Sequence, residues 1–547
     1  MSAGGWILAG LGAVLLATVI HDLFQKKHAI LRNFPIVGHF RYWLEEIGPE
    51  LRQYIVAGNN EERPFSRDQR RWLFTSAKRE NNYFGFGTDE KIELEPNFII
   101  IKHAAFAPAG ATSVRGPRRH EAVKPVDAVE TGERERWERE LQRYGFPVND
   151  LRAYRLPCAK ILGGPRGRAK AFRPASVVNI SGMSFGSLSG AAVEAMNRGA
   201  AIADCLHNTG EGGIAPCHLH GADLVWQLGT AYFGCREPAG TFSKPRFLDK
   251  VAAHPVRAVE IKLSQGAKPG LGGLLPGKKV SREIAAIRGV PEGEDVVSPS
   301  HHSAFGDVDE MLDFVEDLAD STGLPIGIKS AVGEDRFWRD LAEEIARGER
   351  GVDFITIDGG EGGTGAAPLV FSDHVALPFK LAFTRVYRIF AEAGAAERVV
   401  WIGSGKLGFP ETALLGFSFG CDLIGVGREA MMAVGCVQAQ RCHTDHCPTG
   451  VATQNRWLVR GLDVTSKAAR LANYVVSLRK ELLWLSRACG VLHPGLVTGD
   501  HIEILDDHFG SAGLYDVFHY TRGWGLPGEA DREAIRRIMA ALADERG

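Results

Sequence analysis

The chain has 547 residues, 45 % hydrophobic and 24 % charged, a balance that excludes wholesale disorder and leaves room for a large core and two to four domains. A formal net charge of −2 excludes a global pull toward nucleic acid, so no nucleic-acid partner is expected. The one short basic run, "RGPRRH" at 115–120, reads as a solvated loop.

Ala3 to Ile20, "AGGWILAGLGAVLLATVI", carries no charge, and a helix of that length spans roughly 27 Å, close to a hydrocarbon core. It lacks the preceding basic residues and following small-residue cleavage site of a secretory signal. Lys26, Lys27 and Arg32 lie on its C-terminal side, which by the positive-inside bias leaves the remainder in the cytoplasm. The expectation is a single-pass transmembrane helix over 3–22 with the catalytic body facing the cytoplasm.

Residues 23–170 read as a mixed α/β region. "WLEEIGPELRQYIV" (43–56) has helical spacing, "IELEPNFIIIKHAAF" (92–106) is strand-like, and "GERERWERELQRYG" (132–145) predicts a highly charged helix. Nothing in this region reads as catalytic.

From 171 to 462 the texture changes to short β-branched runs, each ending in a glycine-rich or polar turn and most followed by a helical stretch. Six units are clear, beginning at "SVVNISGMSFGSLSG" (176–190), "AVEIKLSQGAKPGLGG" (258–273), "LPIGIKSAVGE" (324–334), "VDFITIDGGEGGTGAAP" (352–368), "RVVWIGSGKLGFP" (398–410) and "CDLIGVGREA" (421–430). The second is expected to be followed by the helix "SREIAAIRG". Weaker units at "CLHNTGEGG" and "ADLVWQLGTAYFG" bring the number to eight. The fold class is therefore α/β, an eight-stranded parallel β/α barrel, rather than a doubly wound sheet opened by GxGxxG. Residues 463–547 read as a helical C-terminal region that caps or packs on the barrel.

In such a barrel, chemistry gathers at the C-terminal ends of the strands. There the sequence places Ser181, Met183, Ser184 and Ser187, then Asn208, Thr209 and Glu211, then Lys262, Gln265 and Lys268. Later strands end in Lys329, in Asp358 with Gly362, Gly363 and Thr364, in Gly403 and Gly405, and in Gly425 and Gly427. Paired glycines on the last two strands suit a mononucleotide phosphate held by backbone N–H groups. Lys329 could stabilise the anionic reduced ring of a flavin.

Cys436, Cys442 and Cys447 follow the last barrel strand with C-x5-C-x4-C spacing, which matches neither zinc-ribbon pairs nor a four-cysteine ferredoxin run. A cytoplasmic body disfavours disulfides. Three thiolates without a fourth suggest a three-iron cluster, and Pro448 beside the last is a neighbour found in ferredoxin-type runs. A zinc site completed by His443 or His446 remains an alternative, whereas the polar surroundings "QAQRCHTDHC" argue against a core-only reading.

The elements "GMSFGSLS", "NTGEGG", "QGAKPGLGGLLPGKKV", "SPSHH", "IDGGEGGTGAAP" and "GCVQAQRCHTDHCPTGVATQ" lie in order over nearly 300 residues and resemble the FMN-binding synthase domain of glutamate synthase. The whole chain, with its apolar N-terminus, is similar to the stand-alone proteins of the FMN-binding glutamate synthase family. The resemblance implies FMN in the barrel and a 3Fe–4S cluster on Cys436, Cys442 and Cys447. Reduced FMN would deliver hydride to the imine of 2-oxoglutarate and ammonia, giving L-glutamate. It further implies Lys268 and Arg288 at the substrate carboxylates and Glu211 as a proton relay.

Leu274 stands where glutamate synthases carry a glutamine, so a different 2-oxo acid or amine is open. No amidotransferase domain and no C-terminal β-helix domain of the full-length enzymes is recognised in these residues, so glutamine hydrolysis by this polypeptide alone is not expected. Free ammonia, an amine or a partner would supply nitrogen, and a ferredoxin-like protein, a reductase subunit or a membrane pool would supply electrons. Two other readings stand beside this one. The first is a 2-hydroxy-acid dehydrogenase using His301 or His302, and the second is a non-catalytic electron-transfer subunit.

Overall fold

The computed structural model describes residues 2–544 except 26, 86, 89 and 108–153, and it divides into two compact units, Met1–Arg71 and Trp72–Gly547. The expected basic loop at 115–120 and charged helix at 132–145 lie outside the described residues.

In the first unit, Ala3–Phe24 is a single 22-residue helix, followed by short helix Ala29–Asn33 and helix Val37–Leu51. The helical spacing at 43–56 is realised as the end of that last helix and a π turn over Arg52–Val56. Pro49 in the last turn lacks an N–H, and the wider π pattern re-pairs the backbone after it.

The second unit is built on a closed barrel of eight parallel strands. In chain order they are β1 (Val178–Ile180), β2 (His207–Asn208), β3 (Leu224–Leu228), β4 (Val256–Lys262), β5 (Ile326–Ser330), β6 (Phe354–Asp358), β7 (Val400–Ser404) and β8 (Leu423–Val426). Each pairs with its sequence neighbour, and β8 closes on β1 through Ile424 beside Val178 and Val426 beside Ile180. All eight expected units are present, including the two weak ones at β2 and β3. The apolar runs form strands because helices cover one face and neighbouring side chains fill the other.

The floor of the barrel is apolar, formed by Leu206, Val225, Ala258, Phe354, Val400 and Leu423 with Cys158 and Leu162 beneath. Gly327 on β5 makes room for this packing, since a Cβ there would stand 2.4 Å from the Phe354 ring. Above the floor the filling turns polar. Glu260 on β4 accepts hydrogen bonds from Asn208 (2.8 Å), Gln227 (2.6 Å) and Thr356 (2.7 Å), so four strands are tied to one buried carboxylate.

The helix expected after β4, Arg282–Arg288, exists but is not the crossover. It belongs to an excursion that also carries a two-residue hairpin, Leu274–Leu275 against Val296–Val297, and Val308–Thr322 returns the chain to β5. Seven residues give too short an apolar stripe to cover a strand, whereas Val308–Thr322 buries Met311, Leu312, Val315, Leu318 and Ala319.

Of 92–106 only Ile99–Ile101 is strand, because Pro96 and the left-handed Asn97 break the run before it. It pairs antiparallel with Ile502–Leu505, which pairs with Ser511–Gly513. The C-terminal region is thus helical, with Val464–Ala488 and Glu529–Asp544, but contributes two strands as well. Val464–Ala488 packs on Gly190–Ile202, where a Cβ on Gly199 would stand 2.7 Å from the Ala468 carbonyl oxygen.

Candidate active site

Lys262 ends β4 at the barrel mouth. Its ammonium donates to Glu211 Oε1 at 2.7 Å and to Gln265 Oε1 at 2.6 Å, with Lys262 buried and Glu211 mostly so. Burial pushes the Glu211 carboxyl up, but Lys262, through charge and hydrogen bond, and then Arg288 and Lys329 outweigh it and hold the group below the usual carboxylate range. Burial likewise pulls the Lys262 ammonium below its ordinary value, and Glu211 does not fully restore it. The two form a largely buried ion pair at the mouth.

Lys329 ends β5, 6 % exposed, with its ammonium 3.8 Å from Asp358 Oδ2 and no hydrogen bond among the described residues. A buried ammonium with unspent donors is a site for an anion. Asp358 itself is committed to the protein: Oδ2 accepts from the Gly266 N–H at 2.9 Å and Oδ1 from the Ser404 hydroxyl at 3.1 Å. It pins the loop after β4 to β7.

The four terminal glycines divide. Cβ atoms on Gly403 and Gly405 would stand 2.7 Å from Leu407 and Phe379, so these glycines serve the packing of the turn after β7. A Cβ on Gly427 would meet nothing nearer than Ser181 Cβ at 3.8 Å, and one on Gly425 would touch Ser181 Cβ at 3.5 Å. Gly425, Gly427 and Ser181 therefore share an open face where β8 meets β1. Gly363 gives passage to Arg428, whose guanidinium donates to the Glu361 carbonyl, and Gly362 lies against the Ala267 N–H; Thr364 is exposed beside them. Met183 and Ser184 are half-buried on the β1 loop, tight against Gly210 of the β2 loop.

Lys268 is buried and donates to the Ala366 carbonyl at 3.0 Å, and burial pulls its ammonium below the ordinary value. Arg288, also buried, donates to the Phe185 carbonyl at 2.9 Å and stacks on Phe233, and burial pulls it down to about 10. One arm of its fork thus braces the β1 loop instead of facing the mouth, a use that spacing alone does not reveal. His302 is closed to acid–base chemistry. Its Nδ1 accepts from the Tyr232 hydroxyl and its Nε2 donates to the Lys262 carbonyl, both at 2.9 Å, and burial pulls the ring down to about 4.

The cysteine segment leaves the short helix Arg428–Ala433. Three of its residues, Gln438, Gln440 and Asp445, hold φ near +60°, uncommon for side chains of this kind and concentrated at functional loops. The Cys436 sulfur accepts from the Gln438 N–H at 3.4 Å. Burial pushes the Cys447 thiol up, but N–H groups of Ala452, Thr449 and Val451 and the Thr449 hydroxyl outweigh it and hold the thiol below its ordinary value.

Two lysines of the excursion after β4 fasten the segment. Lys279 donates to the Cys442 carbonyl at 2.9 Å and the Ala452 carbonyl at 3.1 Å, and Lys278 to the Thr444 carbonyl at 3.0 Å. On the other side, a Cβ on Gly365 would stand 3.1 Å from Cys442 Cβ, so the β6 loop touches the thiols. Zinc at about 2.3 Å from each sulfur needs sulfurs about 4 Å apart. Among the described residues, neither the three cysteines alone nor the cysteines with His443 or His446 bring their ligand atoms all within 4.8 Å of one another.

Gln227, Glu260, Lys279 and Arg428 escape the sequence reading. An acid inside the apolar strand "AVEIK" is the signal that marks Glu260; the lysines of "GKK" look like surface charge until the fold brings the cysteines to them.

Residues 158–491 match the family profile described as the conserved region in glutamate synthase. The glutamate synthase large subunit-like protein YerD of Bacillus subtilis is 36 % identical over 497 residues, 89 % of this chain and 92 % of that one. An archaeal glutamate synthase [NADPH] of Methanocaldococcus jannaschii is 34 % identical over 317 residues, and the match spans 57 % of this chain and 59 % of that relative's length. Among solved structures, a flavocytochrome b2 variant with bound sulfite aligns over 92 % of this chain and 93 % of that one at 13 % identity and a TM-score of 0.41, a likeness that carries no argument. The profile match alone covers more than half the chain, and with the YerD match it shows that the protein belongs to the glutamate synthase family.

Proposed function

We propose that the protein is an FMN- and iron–sulfur-dependent oxidoreductase of the glutamate synthase type, reducing the imine of a 2-oxo acid and ammonia to an amino acid. The observation that carries this reading is the juxtaposition at the barrel mouth: an unspent Lys329 ammonium, the Lys262–Glu211 pair, and a cysteine loop touching the β6 loop through Gly365.

The residues present fit FMN. The open face of Ser181, Gly425 and Gly427 suits its phosphate, and Lys329 suits the pyrimidine edge of its ring. When bound, FMN supplies hydride transfer. The cysteine segment suits a three-iron cluster: the Cys436 sulfur accepts from the Gln438 N–H and the Cys447 sulfur from the N–H groups that follow it, donors of the kind that stabilise iron–sulfur thiolates, although burial pushes the Cys436 thiol up to about 12 and the Cys442 thiol up as well. Lys268 and Arg288 provide positive charge for the substrate carboxylates, and Lys262 holds Glu211 ionised where a proton is to be relayed. Leu274, half-exposed in the hairpin of the β4 excursion, is the residue on which the choice of 2-oxo acid turns: a leucine there offers no hydrogen bond to a keto acid, so 2-oxoglutarate and other 2-oxo acids or amines both stay in the panel.

Ala3–Phe24, with none of its apolar window buried, is read as crossing the membrane with the body in the cytoplasm, where a ferredoxin-like or reductase partner supplies electrons. The test is anaerobic purification followed by absorption and electron paramagnetic resonance spectra, then turnover with reduced donor, ammonium and a panel of 2-oxo acids. Flavin bands, a signal from the oxidised cluster and an amino-acid product are expected. Protein without flavin or iron after reconstitution would overturn the proposal, and oxidation of 2-hydroxy acids without amination would replace it.

A further inference from the structure

The first unit carries an apolar surface that the membrane-crossing helix does not account for. On helix Val37–Leu51, residues Val37, Phe40, Leu44, Ile47 and Leu51 recur at spacings of three and four and form one stripe. Val37 is 74 % exposed, Phe40 58 % and Trp43, flanking the stripe, 53 %. Tyr54, Ile55 and Val56 in the following π turn are exposed as well. The opposite side is polar, with His39, Glu46 and the Arg41–Glu45 ion pair at 2.7 Å. An exposed stripe of this size, apolar on one side and charged on the other, has the composition of a helix lying in an interface.

The start of this helix is clamped to the last turn of Ala3–Phe24. Asp22, fully buried, accepts from the Ile36 N–H at 3.0 Å and from His39 Nε2 at 2.9 Å. Ile36 holds φ at +65°, a conformation β-branched residues rarely adopt, and in it the Ile36 N–H donates to Asp22 Oδ2. Gly38 brings the helix close enough that a Cβ would stand 3.0 Å from Leu31. The stripe therefore begins where the apolar helix ends, at the depth where a bilayer gives way to water, and Trp43 beside it and Tyr54 in the turn after it are exposed residues of the two types that favour that depth.

We propose that Val37–Leu51 and the turn after it lie along the lipid headgroup boundary with the stripe in the acyl chains, a second membrane contact fixed to the first by Asp22. The inference rests on reading Ala3–Phe24 as a membrane-crossing helix, and the experiment separates the two. The full chain is reconstituted into phosphatidylcholine vesicles with or without bromine on the acyl chains. The Trp43 emission is isolated as the difference from Trp43→Phe, and that of Trp6, within the apolar helix, as the difference from Trp6→Phe. Brominated lipid is expected to quench both, and Trp43 more strongly when the bromine sits near the headgroup than when it sits near the chain end. If Trp6 is quenched and Trp43 instead answers only to aqueous iodide, the stripe is in water: the inference fails and the crossing helix stands. A Trp43 shielded from both quenchers is covered by protein and overturns the inference equally. If neither tryptophan responds to brominated lipid, both readings fail.

Discussion

At the scale of single residues, the site depends on charges taken out of water and held by few partners. His302 is the neutral member among them. It is neutral because burial pulls it to about 4, and its two hydrogen bonds join Tyr232 to the backbone of Lys262, whose ammonium meets Glu211. An unfolded histidine takes up a proton near pH 6.5, so from there down to about pH 4 the unfolded chain binds a proton that the folded protein refuses. The stabilisation from His302 is whole above that window and is lost as pH falls through it. His302→Gln is therefore expected to melt lower than wild type at pH 7.5, and the gap to narrow at pH 5, by at most about 3 kcal/mol across the full window. A gap independent of pH would show that the ring is not held neutral.

At the scale of loops and strands, glycines and lysines do different work that the fold makes distinguishable. A Cβ on Gly266 would stand 1.8 Å from the Gly359 carbonyl oxygen, so Gly266→Ala is expected to unfold the loop after β4 and lower expression. A Cβ on Gly427 would make only an ordinary contact with Ser181 at 3.8 Å, so Gly427→Val is expected to leave the circular dichroism spectrum unchanged while flavin affinity falls about tenfold or more, ~1.4 kcal/mol. Unchanged flavin binding in Gly427→Val would move the phosphate elsewhere.

Lys279→Met removes the ammonium that bridges the Cys442 and Ala452 carbonyls. Iron content per protein is expected to fall with flavin content retained, and Lys279→Arg, which keeps a charge and donors, to recover part of it. Much of this was legible in advance. Strand ends with glycines, a trio of cysteines and the charged residues of the β4 loop all announce themselves locally. Lys279 and Glu260 did not, because their partners lie 163 or more, and up to 96, positions away in the chain, and only closure of the barrel brings them together.

At the scale of the molecule, the barrel is not self-sufficient. Helix Val464–Ala488 buries thirteen residues, among them Arg479, which donates to the Ala203 carbonyl at 2.8 Å, and Tyr474, which donates to the Gly408 carbonyl at 2.8 Å. The C-terminal region is part of the core and not an appendage on it. A chain ending at residue 462 retains every barrel strand, yet it is expected to be insoluble and free of flavin, because the apolar face of Gly190–Ile202 would lie open. Soluble, yellow protein from that truncation would show that the barrel folds alone.

The sequence by itself determined the eight strands, their parallel order, the turn glycines, the apolar N-terminal helix and the cysteine trio. Each of these rests on local periodicity or on spacing within a few turns of chain. Only the tertiary structure decided that Arg288 braces a loop, that His302 is sealed, that Val308–Thr322 rather than Arg282–Arg288 is the crossover, and that two lysines fasten the cysteine loop. These are outcomes of which distant groups meet when the sheet closes. Burial, and the lack of water to satisfy a charge or an N–H, then fixes what each of them does.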